Sequence, residues 1–114
     1  MNKSPITTHV LDTALGKPAA DINIELYKQD ENGWQLLTSG FTNADGRITD
    51  WLDAETELAY ATYKLVFKLE DYFQKQNQSV FYPSAEICFN LNEKAHYHIP
   101  LLVSPFGYST YRGS

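Results

Sequence analysis

HYHIPLLVSPFGYSTYRGS, residues 96–114, is the stretch from which the fold can be worked out. Residues 96–102 have the composition and alternation of a β-strand. The next four residues, SPFG at 104–107, combine Ser, Pro and Gly as turns do. We therefore expect the tail after the turn to fold back beside its own strand, so that the end of the chain is structural, functional or both.

The same two-residue period recurs through the rest of the chain. It is clearest in residues 21–28, where Ile22, Ile24 and Leu26 alternate with polar side chains, as in a strand with one buried face. The period predicts further strands at residues 6–12, 34–41, 47–50, 60–69 and 85–91.

Turn-forming sequences separate these strands, among them DENG at residues 30–33 and NADG at residues 43–46. Residues 70–76 lack β alternation and are predicted to form one short helix, while residues 52–58 are predicted to form a brief helical or irregular link. Seven or eight short strands separated by turns indicate an all-β fold, an antiparallel β-sandwich. We expect residues 1–114 to form a single domain.

Charge and cysteine content narrow the class of protein. The net charge is −5, from 14 acidic and 9 basic residues, and the Lys and Arg residues form no cluster. This argues against binding to nucleic acid or to an anionic membrane. Cys88 is the single cysteine, so an internal disulfide is excluded.

The sequence contains neither an apolar run of roughly twenty residues, as a membrane helix requires, nor an apolar segment at its start. We therefore expect a chain that is neither exported nor inserted in a membrane, and a cytoplasmic location.

Two of the three histidines, His96 and His98, lie two residues apart on one face of a predicted strand. One interpretation is a solvated polar face. A second is zinc binding with His9 as a third ligand, although no Cys or carboxylate is clearly spaced for that role. A third is acid/base chemistry, since imidazole exchanges protons near neutral pH.

Three other candidate functional residues can also be explained by a structural role alone. His9 lies inside a predicted strand, where a histidine is most often a packing residue. Arg47 follows a turn, as surface charges do, and Ser114 is the last residue of the sequence.

Four short motifs resemble those of one enzyme family. They are THVLDT at residues 8–13, GKPA at 16–19, TNADGR at 42–47 and the final YRGS at 111–114. Their sequence and order are similar to those of the 5-hydroxyisourate hydrolases, transthyretin-like enzymes of urate breakdown. Together they span nearly the whole chain, which makes the resemblance specific.

The resemblance implies a transthyretin-like sandwich, assembled as a homotetramer with active sites in a channel between dimers. It also implies hydrolysis of a lactam of 5-hydroxyisourate, giving an unstable ureido-imidazoline carboxylate, without metal or cofactor. The implied catalytic residues are His9, Arg47, His98 and Ser114. Substrate binding is implied for His9, Arg47, Tyr111, Arg112 and Ser114, and His96 is left without a role.

Two other functions remain open from the sequence. A transthyretin-like carrier would bind a small aromatic ligand in the same channel without reaction, but the carrier branch lacks the YRGS ending and the His/Arg/His set. In a structural assembly subunit, the tail would serve only as interface packing.

Overall fold

The computed structural model describes residues 3–114, in which nine strands and one helix are found. Met1 and Asn2, part of the start considered above for an export signal, lie outside this range. The elements are β1 (Ile6–Asp12), β2 (Lys17–Pro18), β3 (Asn23–Asp30), β4 (Gly33–Phe41), β5 (Arg47–Ile48), β6 (Ala61–Lys68), α1 (Glu70–Gln74), β7 (Ser84–Leu91), β8 (Tyr97–Ser104) and β9 (Gly107–Thr110).

The strands form two sheets. One has the order β4-β3-β6-β7 and is antiparallel throughout. The other has the order β2-β1-β8-β9, with β5 also paired to β1. The predicted β-sandwich and the terminal hairpin of β8 and β9 are confirmed.

Two details of the fold differ from the sequence-based expectation. Strands β1 and β8 pair in parallel, with Ile6 opposite Tyr97 and Asp12 opposite Val103, so the sandwich is not antiparallel throughout. The strand count is nine, rather than seven or eight, because Lys17–Pro18 forms the two-residue strand β2 in a segment for which no strand was predicted. The parallel pairing joins distant segments, which a local period does not record, and β2 is too short to show a period.

The core lies between the two sheets and is built from the inward faces of the strands. Ile24 and Leu26 of β3 are fully buried, as the two-residue period predicts. The fully buried Tyr63, Leu65 and Phe67 of β6 belong to the same core cluster. Burial of each such side chain stabilises the fold by about 1.5–3 kcal/mol, so this alternation is what fixes which face of each strand points inward.

The predicted helix is confirmed in a shorter form, and no helix in residues 3–114 has the length and apolar character needed to cross a bilayer. It ends at Gln74, and Asn77 takes a left-handed φ of 57° shortly afterwards. Residues 52–58 form bends and turns, so of the two predicted forms of this link the irregular one is correct.

The helix is joined to β1 by a partly buried hydrogen bond. The hydroxyl group of Tyr72 donates to Asp12 Oδ2 at 2.7 Å, and the backbone N–H of Leu15 donates to Asp12 Oδ1 at 2.9 Å. Asp12 is 1% exposed. Desolvation and the hydrogen bond to Asp12 raise the pKa of Tyr72 to about 12.

We expect Tyr72→Phe to lower the free energy of unfolding by about 1–2 kcal/mol at neutral pH, because one buried carboxylate oxygen loses its donor. Since the folded-state pKa of Tyr72 exceeds the unfolded value of about 10, its contribution is complete below pH 10 and is lost as pH rises toward 12. Urea unfolding of both proteins at pH 8 and pH 11 should show the difference shrinking. A constant difference would contradict this assignment.

Candidate active site

The outward face of the sheet containing β1 and β8 collects the predicted catalytic side chains. In β1, Ile6, Thr8 and Val10 point into the core, so Thr7 and His9 point outward. The parallel register sets Thr7 opposite His98 of β8. On the other side of β1, His9 is opposite Arg47 of β5. Side chains opposite one another in a sheet lie on the same face, so His9, Arg47 and His98 are brought together.

The turn before β5 is built to deliver Arg47 to this place. The Asn43 side-chain carbonyl accepts hydrogen bonds from the backbone N–H groups of Asp45 at 2.9 Å and Arg47 at 3.0 Å. Gly46 has a φ of +74°, and a Cβ atom there would lie 2.5 Å from the Val10 carbonyl oxygen. Only glycine allows this close approach, which explains the DGR sequence locally.

The three imidazole rings form a row. The ring centroids of His9 and His98 are 6.5 Å apart with an interplanar angle of 26°, and those of His96 and His98 are also 6.5 Å apart, at 17°. Thr7 lies between the second pair: its Oγ1 is 2.8 Å from His98 Nδ1 and 3.0 Å from His96 Nε2. His98 thus has its Nδ1 engaged with protein, which leaves Nε2 for the site.

Burial and neighbouring positive charge hold all three imidazoles in the neutral form near pH 7. Desolvation is the main cause that lowers the pKa of His98, followed by the charge of Arg47, with smaller effects from His9, His96 and Lys3. Desolvation and Arg47 also lower the pKa of His9, and Asp45 opposes them. Desolvation and Lys3 lower the pKa of His96. Neutral imidazoles can accept protons, as general bases do.

The tail crosses directly over His98. The Gly113 N–H donates to the His98 carbonyl oxygen at 2.8 Å, and the hydroxyl group of Thr110 donates to the Pro100 carbonyl oxygen at 2.6 Å. A Cβ atom at Gly113 would lie 2.6 Å from Cδ2 of His98. Ser114 follows Gly113 directly, so the last two residues of the YRGS motif lie beside the imidazole.

Two of the predicted substrate-binding residues are placed elsewhere in the isolated chain. The Arg112 guanidinium lies 4.6 Å above the Tyr97 ring and 3.5 Å from a Glu93 carboxylate oxygen. Tyr97 is on the opposite face of β8 from His98. Tyr111 and Arg112 line a cavity of about 250 Å³ between the tail, β7 and β8, and His98 is also among its lining residues. Of the predicted residues, the structure therefore groups His9, Arg47 and His98, with Ser114 adjacent through the backbone.

Thr7 is a site residue that the sequence analysis missed. It precedes His9 by two residues and has the sequence context of an ordinary strand threonine. Its link to His96 and His98 depends on the parallel register of β1 and β8, for which the local sequence gives no indication.

For metal binding, His9, His96 and His98 are the residues to consider. In the described part of the chain, however, no three His, Cys, Asp or Glu side chains converge as a metal site would require.

We expect Gly113→Ala to lower any catalytic rate that depends on His98 by about 10²-fold, with little change in melting temperature. The added methyl group would collide with Cδ2 of His98, so either the ring or the tail must move, and a displacement of about 1 Å at a reacting group can cost that much. Gly107→Ala, at the start of β9 in the same hairpin, is the matched control, because the nearest neighbour of the added Cβ atom would be 3.8 Å away. Equal activity of the two variants would contradict a close fit of the tail on His98.

Comparison with known proteins shows the family of the chain. The model of the HIUase/Transthyretin family matches residues 6–113. The chain belongs to this family. The family that the four motifs indicated is thereby confirmed. Every strand of the sandwich lies within the matched region.

Three members of the family, or their structures, illustrate the relationship. The 5-hydroxyisourate hydrolase of Mesorhizobium japonicum is 49% identical over 113 residues, covering 96% of this chain and 91% of the relative. The structure of Klebsiella pneumoniae 5-hydroxyisourate hydrolase aligns over 100% of both chains with a TM-score of 0.84 at 32% identity. Sea bream transthyretin, solved in complex with thyroxine, aligns with a TM-score of 0.88 at 28% identity, covering 96% of this chain and 94% of the other.

Proposed function

We propose that this chain hydrolyses 5-hydroxyisourate, as the names of its family relatives state for them. The observation that carries the proposal is the joint placement of His9, His98 and Arg47 on one sheet face, with the YRGS tail folded onto His98. These are the residues that the sequence resemblance implies, and they supply the chemistry that opening a cyclic amide requires.

Hydrolysis of a lactam has three requirements. Water must lose a proton as its oxygen attacks the carbonyl carbon, the resulting oxyanion needs fixed donors, and the ring nitrogen must gain a proton when the C–N bond breaks. The products are a carboxylic acid, which releases its proton to solvent near neutral pH, and an N–H group, so atoms and charge balance without an oxidant, a reductant or a cofactor.

The two imidazoles His9 and His98 are assigned to the proton transfers. Their centroids are 6.5 Å apart, which places a single bridging water within reach of both rings. The lowered pKa values of both imidazoles favour the basic form that removes a proton from water. The geometry supports either ring as the base that activates water, and either ring can supply the proton to the leaving nitrogen.

Arg47 is assigned to the oxyanion and to the carbonyl groups of the substrate. Its guanidinium offers a planar fork of N–H donors, which fits adjacent carbonyl oxygens of a flat, partly anionic ring better than an ammonium group does. The exposed position of Arg47 on the same sheet face as His9 supports this assignment.

The tail is assigned to positioning. Ser114 is next to the Gly113–His98 contact. Tyr111 and Arg112 keep the substrate-binding role that the resemblance implies, and for Arg112 this role requires its guanidinium to leave Glu93 and Tyr97. We assign the nucleophile to water rather than to Ser114, because water activated by a histidine satisfies the chemistry directly. An acyl group trapped on Ser114 and detected by mass spectrometry would contradict this.

The reaction is assigned to the protein side chains without a metal. A guanidinium and two imidazoles supply the positive charge and the proton transfers that a metal-bound water would otherwise provide. Insensitivity of the rate to a chelator is the corresponding test.

A homotetramer is proposed as the working state, because the site lies on an open sheet face. Arg47 is exposed and both histidines are partly exposed in the isolated chain, whereas amide hydrolysis benefits from a site that excludes bulk water. A second protomer facing this sheet would close the site into a channel. A cytoplasmic location is also proposed, supported by the free and exposed thiol of Cys88.

The alternative is a carrier of a small aromatic ligand. The likeness to sea bream transthyretin in complex with thyroxine is the observation in its favour. The His9, Arg47 and His98 cluster favours the hydrolase, since a carrier needs no set of proton-transfer groups.

The deciding experiment generates 5-hydroxyisourate from urate with excess uricase and follows its ultraviolet decay. A decay rate that rises in proportion to this protein, above the spontaneous rate and unaffected by a chelator, is the expected result. A decay at the spontaneous rate with folded protein present would overturn the hydrolase proposal and direct attention to ligand binding.

A further inference from the structure

We propose that Thr7 relays a proton between His98 and His96, so that His96 is the outer proton acceptor of the site. The inference rests on the proposed hydrolysis and adds two residues to it, neither of which the sequence analysis gave a role. It is derived from the row of side chains formed by His98, Thr7 and His96 on the outward face of the sheet.

The Thr7 hydroxyl is placed between two ring nitrogens and is shielded from water. Its oxygen is 2.8 Å from His98 Nδ1 and 3.0 Å from His96 Nε2, and the residue is 2% exposed. A hydroxyl has one proton to donate. It can therefore donate to one ring while accepting from the other, and the protonation patterns of the two rings become coupled.

The two arrangements have opposite chemical consequences. When Thr7 donates to His96 Nε2, it accepts from His98 Nδ1–H, and His98 Nε2 carries a lone pair that can act as a base. When Thr7 donates to His98 Nδ1, it accepts from His96 Nε2–H, and His98 Nε2 carries the proton and can act as an acid. The position of one hydroxyl proton thus sets the role of His98.

Proton transfer along the row connects the two arrangements. After His98 Nε2 takes a proton from water, the proton on His98 Nδ1 passes to the Thr7 oxygen as the Thr7 proton passes to His96 Nε2. His98 is neutral again and carries its proton on Nε2, while His96 becomes the imidazolium. The reverse transfer restores the first arrangement when His98 Nε2 gives its proton to the leaving nitrogen.

The charge environment favours moving the positive charge outward. Arg47 and His9 face His98 from β5 and β1, and both lower the pKa of His98, along with Lys3. Besides desolvation, only Lys3 contributes to the lowered pKa of His96. His96 is also exposed to solvent, so an imidazolium there is hydrated, and Arg47 is not among the charges that lower the pKa of His96.

Thr7→Val tests the relay because it keeps the branched shape of the side chain and removes the hydroxyl. We expect kcat/KM to fall about 10- to 100-fold, mostly through kcat, as for other residues that orient a reacting group. Thr7→Ser keeps the hydroxyl and is expected to retain activity within a few-fold of the original protein. Equal losses in the two variants would show a packing role and overturn the relay.

The pH profile gives a readout that packing alone would not move. The Thr7 oxygen stabilises the His98 imidazolium by accepting from its Nδ1–H, so its removal lowers the pKa of His98 further. In Thr7→Val the acid limb of the kcat/KM profile should shift to lower pH while the plateau falls. An unshifted limb would contradict the proposal.

His96→Asn provides a second, exposed site for the same test if Thr7→Val folds poorly. It is expected to lose activity to about the same extent as Thr7→Val, and the double variant should lose little more, since both changes break one relay. Losses that multiply in the double variant would overturn the relay.

Nitrogen NMR of labelled histidine separates this inference from the proposed function, because it requires no substrate. In the original protein the His96 and His98 resonances should report coupled protonation patterns, and Thr7→Val should change both. If they do not change, the relay is wrong even when 5-hydroxyisourate is hydrolysed. If the original protein fails to accelerate the decay, the proposed function fails, and the NMR result still decides the coupling.

Discussion

Replacing His98 with Asn is expected to lower kcat/KM for 5-hydroxyisourate by about 10³-fold, within the range that one acid/base group contributes. Asn keeps a polar side chain on the outward face of β8 but cannot take up or release a proton near neutral pH. The substitution removes the imidazole that stacks with the His9 ring, contacts the tail at Gly113 and is hydrogen-bonded to Thr7. The coupled uricase assay measures the effect.

The same variant distinguishes the enzyme from a structural assembly subunit. Tyr97 and Ile99, on either side of His98 in β8, pack into the core and are not changed. We therefore expect the variant to fold and to assemble like the original protein. Size-exclusion chromatography and thermal unfolding check this. Loss of assembly together with activity would favour the assembly subunit, in which the tail is interface packing.

Most strands of the sandwich could be predicted, because apolar residues that point into the core alternate with polar residues along each strand. Ile24 and Leu26 in β3 lie two residues apart and are fully buried, as predicted. A side chain two residues along a strand returns to the same face, so the pattern depends only on nearby sequence. The hairpin of β8 and β9 was predictable for the same reason, since Ser104 and Gly107 close a local turn.

The parallel pairing of β1 with β8 was not predictable in this way. The two strands come from opposite ends of the chain, and no turn between them sets a register. The coupling of Thr7 to His96 and His98 follows from that register, so it was missed together with the pairing. Strand periodicity alone predicted that His96 and His98 share one face. The stacked rings confirm this prediction, whereas the roles of the two histidines in proton transfer stay a prediction.

The Arg112 side chain shows the limit of motif matching. The YRGS motif predicted a substrate-binding role, whereas in the isolated chain the guanidinium is held by Glu93 and by the face of Tyr97. A motif gives the residue type and its place in the sequence, but the direction of a side chain is set by contacts with other elements. The role of Arg112 therefore remains a prediction.

Replacing Arg47 tests charge and geometry separately, because two substitutions remove different properties. Arg47→Lys keeps the positive charge and loses the planar fork of donors. We expect kcat to fall about 10²-fold, in the range for loss of one oxyanion donor. Arg112→Lys is the matched comparison and is expected to cost much less, since its guanidinium is engaged with Glu93 and Tyr97. An Arg47→Lys variant with the original kcat would contradict the assignment of Arg47 to the oxyanion.

Arg47→Gln removes the charge as well, and its pH profile should differ from that of Arg47→Lys. The Arg47 charge lowers the pKa of both His9 and His98, so its removal raises both pKa values toward the ordinary imidazole value. The bases then stay protonated to higher pH, and the acid limb of kcat/KM moves to higher pH. Arg47→Lys should leave that limb close to its original position. If both variants shift the limb equally, its position depends on the guanidinium itself, and the electrostatic account of the two histidines is wrong.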